Sequence, residues 1–238
     1  MANPIHSMKA DAAPVLAELR SLANPANVAG MARFGIVGDN LLGITVVTLR
    51  AIAKRLGRNH DLAVALWESG LFEARLLAAF VGEPTRVTLQ QANAWAREFE
   101  CWADCDGVCL HLFRKTPFAH DLAVAWSGRR EEFVKRAGFT LMATLAVHDK
   151  KAADAVFLGY LERVLAEAVD ERHNVKKGVN WALRQIGKRN PALNREAIRM
   201  AKRVRELDTK AARWIASDAL RELEKWKPRG TVGRKRSE

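Results

Sequence analysis

The stretch His60–Trp67, HDLAVALW, recurs 60 residues later as His120–Trp126, HDLAVAW. Each copy is followed by the pattern Phe-x-x-Arg, first from Phe72 to Arg75 and then from Phe133 to Arg136. Apolar residues within the copies return at helical spacing, which predicts an amphipathic helix that packs against the helix after it. Helix pairs that repeat along a chain are typical of helical solenoids.

A fainter similarity relates residues 134–138, VKRAG, to residues 175–179, VKKGV, at an offset of 41 residues. An interval of about 40 residues is typical of HEAT and armadillo repeats. We therefore predict an all-α fold of HEAT-like repeats, which form a curved α-solenoid with a basic concave groove.

Helix-forming residues dominate the rest of the chain. The β-branched run at 44–48 continues into 49–54, LRAIAK, so we predict a buried helix there. The predicted helices are 11–22, 25–34, 41–56, 60–69, 73–81, 88–99, 102–113, 117–127, 130–146, 150–168, 174–189, 192–206 and 209–225. Asn40, Asn59, Thr88, Asn174 and Thr209 are the predicted N-caps. Short connections predict antiparallel neighbours.

The composition favours a polyanionic partner. The 238 residues are 49% hydrophobic, which excludes a disordered chain, and 39 Lys and Arg against 27 Asp and Glu give a net charge of +12. No apolar run approaches the roughly 20 residues of a membrane span. Because the start of the chain lacks a signal peptide and the three cysteines indicate no disulfide framework, we expect a cytoplasmic protein, associated with the nucleoid when bound to DNA. We also expect a monomer.

No Pro/Gly/Ser-rich linker interrupts the middle of the chain. We predict one domain over residues 1–226, followed by a basic, disordered tail at 227–238. The tail could touch DNA or could only aid solubility.

The predicted helix 174–189 has two contrasting faces. Its apolar face consists of Val175, Val179, Ala182 and Ile186, and the opposite face of Lys177, Trp181, Arg184 and Lys188. Cations can neutralise phosphates, and an indole can pack on a sugar or base. The alternative is a solvated face with the indole lying under long lysine stems.

Three cations form a predicted ladder on one wall of the solenoid. If the helices that carry Arg75, Arg136 and Lys177 are the second members of their repeats, the three side chains occupy equivalent positions. Such a ladder follows a phosphate backbone without reading its sequence. In the alternative, Arg136 pairs with Glu132, four residues earlier.

The predicted helix 102–113 places Trp102, Asp106, Cys109 and Phe113 on one face, whereas Asp104 and His111 point elsewhere and are expected to be solvated. A carboxylate on an apolar face needs a partner. Asp106 could be an N-cap, a salt-bridge partner, or the anion that stabilises an oxocarbenium-like sugar during cleavage of a glycosidic bond.

The cysteines of this helix, Cys101, Cys105 and Cys109, lack the spacing and the fourth ligand of a zinc site. We expect small buried side chains and no metal there.

Three segments resemble the AlkD-type DNA alkylation repair proteins over residues 30–225. They are Lys176–Arg184, KKGVNWALR; Leu49–Lys54, LRAIAK; and the pair Trp102-x-x-x-Asp106. That family is all-helical, is built of HEAT-like repeats and excises N3- and N7-alkylated purines from duplex DNA without a cofactor. One departure is Val47, where relatives often have proline.

The resemblance also implies roles for individual residues. Asp106 matches the catalytic aspartate, Trp102 and Trp181 match aromatic side chains beside the lesion, and Arg136 matches an arginine that contacts phosphate. The sequence thus predicts a monofunctional alkylpurine DNA glycosylase. The alternatives are a non-catalytic binder of distorted or branched DNA and a scaffold for an acidic polypeptide.

Overall fold

The computed structural model describes residues 11–228, so most of the predicted tail at 227–238 lies outside the described residues. Within that range the chain forms helices and no strand, which confirms the predicted all-α class. The α-helices are α1 Ala13–Ser21, α2 Pro25–Met31, α3 Val46–Leu56, α4 His60–Glu68, α5 Phe72–Val81, α6 Leu89–Arg97, α7 Trp102–His111, α8 Ala119–Ser127, α9 Glu132–His148, α10 Asp154–Glu167, α11 His173–Gly187, α12 Pro191–Arg205 and α13 Lys210–Leu223.

The described part of the chain divides into two compact units, with the boundary after Phe118. In the second unit α9 packs on α8, α11 lies between α9 and α13, and α10 contacts α8 and α12. The odd-numbered helices α9, α11 and α13 therefore form one layer, and the even-numbered helices α8, α10 and α12 form the other. In the first unit α5 packs on α4 and lies between α3 and α7. Each unit thus contains repeated helix pairs, and the second helices of successive pairs pack side by side in one layer.

The two repeated histidines link consecutive even-numbered helices. The His60 Nε2 atom of α4 lies 3.1 Å from the Gln91 side-chain oxygen of α6, and the His120 Nδ1 atom of α8 lies 2.7 Å from the Tyr160 hydroxyl of α10. Burial is the main cause of the lowered pKa of His60, which keeps its ring neutral in this contact. In each copy of the repeat the histidine therefore joins one even-numbered helix to the next.

Local hydrogen bonds set most helix starts. Asn59, Thr88 and Thr209 each accept a backbone N–H from the residue three positions later, which confirms three of the predicted N-caps. The predicted caps Asn40 and Asn174 are wrong, because α3 and α11 begin at Val46 and His173.

The start of α3 is the largest error in the predicted boundaries. The buried Glu73 carboxylate of α5 accepts backbone N–H groups from Leu42, Gly43 and Ile44, which would otherwise belong to a first helical turn. Gly43 has φ +74°, and a Cβ atom there would lie 2.3 Å from the Asn24 carbonyl oxygen. The segment before α3 is therefore a loop. Val47 is 76% exposed, whereas Leu49 and Ile52 are buried, so the predicted helix is buried on one face only.

Among residues 11–228, none of the helices combines the length and the hydropathy needed to cross a bilayer.

Candidate nucleic-acid interface

Helix α7 carries the predicted catalytic carboxylate. Trp102 and Asp106 are both half-buried and lie one helical turn apart. The Trp102 Nε1–H group donates a 2.8 Å hydrogen bond to the Phe34 carbonyl oxygen, which holds the indole beside α7. Cys109 and Phe113 are completely buried. The predicted common face therefore runs from the solvent boundary at Trp102 and Asp106 into the core.

Asp104 caps the start of α7 and is buried, whereas the sequence analysis predicted a solvated side chain. It is 1% exposed and accepts backbone N–H groups from Glu100, Cys101 and Cys105 at 2.7–3.1 Å. Burial raises the pKa of Asp104, and these three hydrogen bonds act in the opposite direction because they stabilise the carboxylate. Asp104 thus anchors the helix, while Asp106 lies one turn after Trp102 at the half-buried boundary.

The three cysteines of this segment are buried, as predicted. Burial, followed by the charge of Asp104, raises the pKa of Cys101 to about 12, so its thiol stays protonated near neutral pH. In the described part of the chain no group of three His, Cys, Asp or Glu side chains is placed to hold a metal ion.

Arg75 does not lie on an open wall. Its side chain is 9% exposed, pairs with Glu98 and Glu100 at 3.3 and 3.1 Å, and donates to the Glu98 carbonyl oxygen at 3.0 Å. The guanidinium carbon also lies 5.2 Å from the centre of the Trp67 ring. The predicted open position of Arg75 is therefore wrong, because the two carboxylates and α4 surround its charge. The DNA contact of Arg75 stays a prediction.

Arg136 is also buried, with 6% of its surface exposed, so its predicted place on an exposed face is wrong. Its Nη1 atom donates a 2.8 Å hydrogen bond to the Asn174 carbonyl oxygen in the first turn of α11. Arg75 makes the same kind of contact to a carbonyl oxygen shortly before α7. The repeated Phe-x-x-Arg pattern therefore joins an odd-numbered helix to a backbone carbonyl group at the start of the next odd-numbered helix or shortly before it. The phosphate contact inferred for Arg136 stays a prediction.

Helix α11 has the predicted two-faced arrangement. Val175, Val179, Ala182 and Ile186 are completely buried. On the opposite face Lys177 is exposed, and Trp181, Arg184 and Lys188 are half-buried.

The cations near the end of α11 are occupied by acids of α13. Arg184 lies 2.9 Å from Glu222 and 3.4 Å from Asp218, and Lys188 also binds Glu222. With the Gln185 amide oriented to satisfy its neighbours, its oxygen accepts from Trp181 Nε1 at 3.2 Å. Of the four residues predicted to form this DNA-binding face, only Lys177 is well exposed, because the ion pairs with α13 cover the cations Arg184 and Lys188.

Asp170 braces α9 against the start of α11. It accepts from Lys135 of α9 at 3.2 Å and from the Arg172 side chain at 2.6 Å. Burial alone would raise the pKa of Asp170, but hydrogen bonds from the Arg172 side chain and backbone and from Lys135 lower it to about 2. This brace fixes the N-terminal end of α11, where Lys177 lies.

The sequence analysis missed an aromatic residue beside that end of α11. Trp214 of α13 is 39% exposed, and the Lys176 ammonium lies 5.7 Å from the centre of its ring. Trp214 lies on the polar side of an amphipathic helix, which could have singled it out. The pKa of His173, also at this end, is lowered by burial and then by the charges of Lys177 and Lys176.

The helices are paired, and the second helices of successive pairs pack side by side in one layer. This arrangement defines a HEAT-like repeat protein. The chain belongs to the family described as DNA alkylation repair enzyme, which it matches over residues 15–223. This confirms the resemblance drawn from the sequence.

Two relatives by sequence and one solved structure are similar to this chain at low sequence identity. The uncharacterized proteins Lin0241 of Listeria innocua and Lmo0209 of Listeria monocytogenes are each 25% identical over 191 residues, or 79% of this chain and 83% of the relative. A solved structure represents a new family of proteins related to the HEAT-like repeat DNA glycosylases with affinity for branched DNA structures. It has 19% identity and a TM-score of 0.74, and covers 92% of this chain and 97% of its own.

Proposed function

We propose that the protein binds duplex DNA and excises positively charged N3- and N7-alkylated purines, with Asp106 as the catalytic residue. The observation that carries this proposal is the half-buried Asp106, one turn from the half-buried Trp102, in a member of the DNA alkylation repair family. An alkylated purine leaves as a neutral base, and the positive charge moves to the sugar. A carboxylate at the solvent boundary can stabilise that charge, and no second carboxylate is needed to protonate the base.

DNA binding is supported by the charge of the chain and by exposed groups on α11. The net charge is +12, and Lys177 is exposed one turn before Trp181. Lysine and indole side chains can contact phosphates and sugars, and such contacts position DNA without selecting its sequence. Selection would then come from the lability of the alkylated glycosidic bond.

The test is release of 7-methylguanine and 3-methyladenine from methylated DNA, measured by chromatography. Asp106→Asn keeps the shape of the side chain and removes its charge, so base release should fall by at least about a hundredfold, in the range seen when an electrostatic stabiliser is removed. Affinity for methylated duplex should change little.

A matched control is Asp61→Asn on α4, which changes the charge equally and only breaks the surface pair with Arg86 at 2.7 Å. It should release bases at the wild-type rate. Full activity of Asp106→Asn would refute the catalytic assignment.

A second candidate is a non-catalytic binder of branched DNA. It is favoured by the fold shared with the solved structure, whose protein is described as having affinity for branched DNA. This candidate requires tight binding of forked DNA and no base release by the wild-type protein, so the same chromatographic assay separates the two functions.

A further inference from the structure

The N-terminal ends of α11 and α13 bring cations around one exposed indole. We call this set the α11–α13 cluster and define it as His173, Lys176, Lys177, Lys210 and Trp214. Lys177 lies one turn after His173, and Trp214 lies one turn after Lys210, so each helix presents a pair on one side. Lys176 reaches from α11 to α13, with its ammonium 5.7 Å from the centre of the Trp214 ring.

The charge of this cluster is not cancelled by salt bridges. Among residues 11–228, no carboxylate lies within ion-pair distance of Lys177 or Lys210. Three acids lie nearby, and none of them pairs with a cluster lysine. Glu171 accepts the Ala211 backbone N–H, Asp208 pairs with Arg213 at 2.6 Å, and Glu132 accepts from the Asn174 side chain. Arg184 and Lys188, further along α11, are held by α13. Positive charge on this layer is therefore most available at the helix starts.

Trp214 gives the cluster a second property. An indole that is 39% exposed leaves apolar surface in water, although its helix buries Ala211, Ile215 and Ala219 completely. A cation beside an aromatic ring, together with further cations around it, is the combination that binds single-stranded nucleic acid, in which the ring stacks on a base and the ammonium groups contact phosphates.

We propose that the α11–α13 cluster binds an unpaired nucleotide of branched DNA, with the Trp214 indole stacked on the base and Lys176, Lys177 and Lys210 on adjacent phosphates. Within a duplex both faces of each base are covered by its neighbours, so an indole gains little there. At a fork or flap the base face is open. This proposal rests on the DNA binding put forward above and does not depend on base excision.

The test compares a forked duplex that carries a short unpaired arm with a plain duplex of equal length, by fluorescence anisotropy at one fixed salt concentration. The wild-type protein should prefer the fork. Trp214→Ala should weaken binding to the fork by about fivefold or more, the size expected for loss of one stacked base, and change duplex affinity by less than about twofold. Trp214→Phe should keep most of the preference, because it keeps an aromatic face.

Two further variants make the result decisive. Leu158→Ala removes another exposed apolar side chain, 41% exposed, from α10 in the even-numbered layer, and should leave both affinities unchanged. Lys176→Gln should weaken fork binding without removing the indole, which guards against a folding defect in Trp214→Ala.

The proposal is overturned if the wild-type protein shows no preference for the fork, or if Trp214→Ala weakens fork and duplex equally or neither. Base release from methylated duplex, measured on the same variants, reports the proposed excision separately. It should stay at the wild-type level in Leu158→Ala.

Discussion

The Arg184 guanidinium of α11 lies 2.9 Å from the Glu222 carboxylate of α13, and Lys188 binds the same carboxylate. One acid thus holds two of the cations that the sequence placed on a DNA-binding face. The ion pairs are half-exposed, so they contribute at most about 1 kcal/mol each to folding. Their larger effect is to keep two charges away from phosphates.

Glu222→Gln should therefore strengthen DNA binding. With Arg184 and Lys188 released, the plot of log affinity against log salt should steepen by up to about 0.9 for each phosphate that they contact. Glu224→Gln is the matched control, because it changes the charge equally on an exposed residue of the same region that pairs with no cation among residues 11–228. Identical salt slopes for the two variants would show that the released cations do not reach DNA.

Glu73→Gln should destabilise the protein by about 1–3 kcal/mol, because an amide N–H₂ group would face backbone N–H groups that now bind a carboxylate. Urea unfolding followed by circular dichroism measures the change. Glu18→Gln, which removes an exposed pair with Arg55, should cost less than about 1 kcal/mol. Equal costs would mean that Glu73 does not fix the loop before α3.

Gly138→Ala should be strongly destabilising. The new Cβ atom would lie 2.4 Å from the Ser127 backbone nitrogen and 2.8 Å from its Cα atom, where α9 packs against the end of α8. Backbone atoms cannot rotate away, so we expect a loss of at least about 1–3 kcal/mol. Gly159→Ala in α10 meets nothing within 4 Å and should stabilise the protein by up to about 1 kcal/mol. Thermal unfolding measures both changes. If the Tm values of the two variants shifted in the same direction, the packing described for Gly138 would be contradicted.

Asp170 should make the second unit sensitive to acid. Its pKa is lowered to about 2 in the folded protein, against about 4 in an unfolded chain. A lowered pKa stabilises the folded state above the unfolded value, and this contribution is lost as the pH falls from about 4 towards 2. Asp170→Asn should thus reduce stability at pH 6 and lose that deficit by about pH 2. A deficit that stays constant with pH, in urea titrations, would rule out this linkage.

The sequence predicted features that depend on near neighbours. The caps at Asn59, Thr88 and Thr209 were found because each acts on a backbone group three residues away. The buried face of α11 was found because its period shows directly in the sequence. The start of α3 was missed because Glu73, about 30 residues away, binds the backbone groups that precede it.

The same distinction between near and distant partners along the chain explains which predictions about the candidate site were wrong. A helical wheel gives each helix one buried face, but Arg75 and Arg136 lie on flanks that adjoin the next helix of a layer, so they are buried as well. Arg184 and Lys188 were correctly placed opposite the core of α11, and only the fold shows that α13 supplies their acids. Trp214 was missed because its meaning depends on Lys176 of another helix.

The contacts between α11 and α13 also share a constant interval. Lys176 with Trp214, Asn180 with Asp218, and Arg184 with Glu222 are each separated by 38 residues. The two helices therefore run in parallel and in register, so that each turn of α11 contacts the corresponding turn of α13. We expect that one residue inserted into α12 would displace all three contacts together. A change in chain length between α11 and α13 should therefore be tolerated only in the loops on either side of α12.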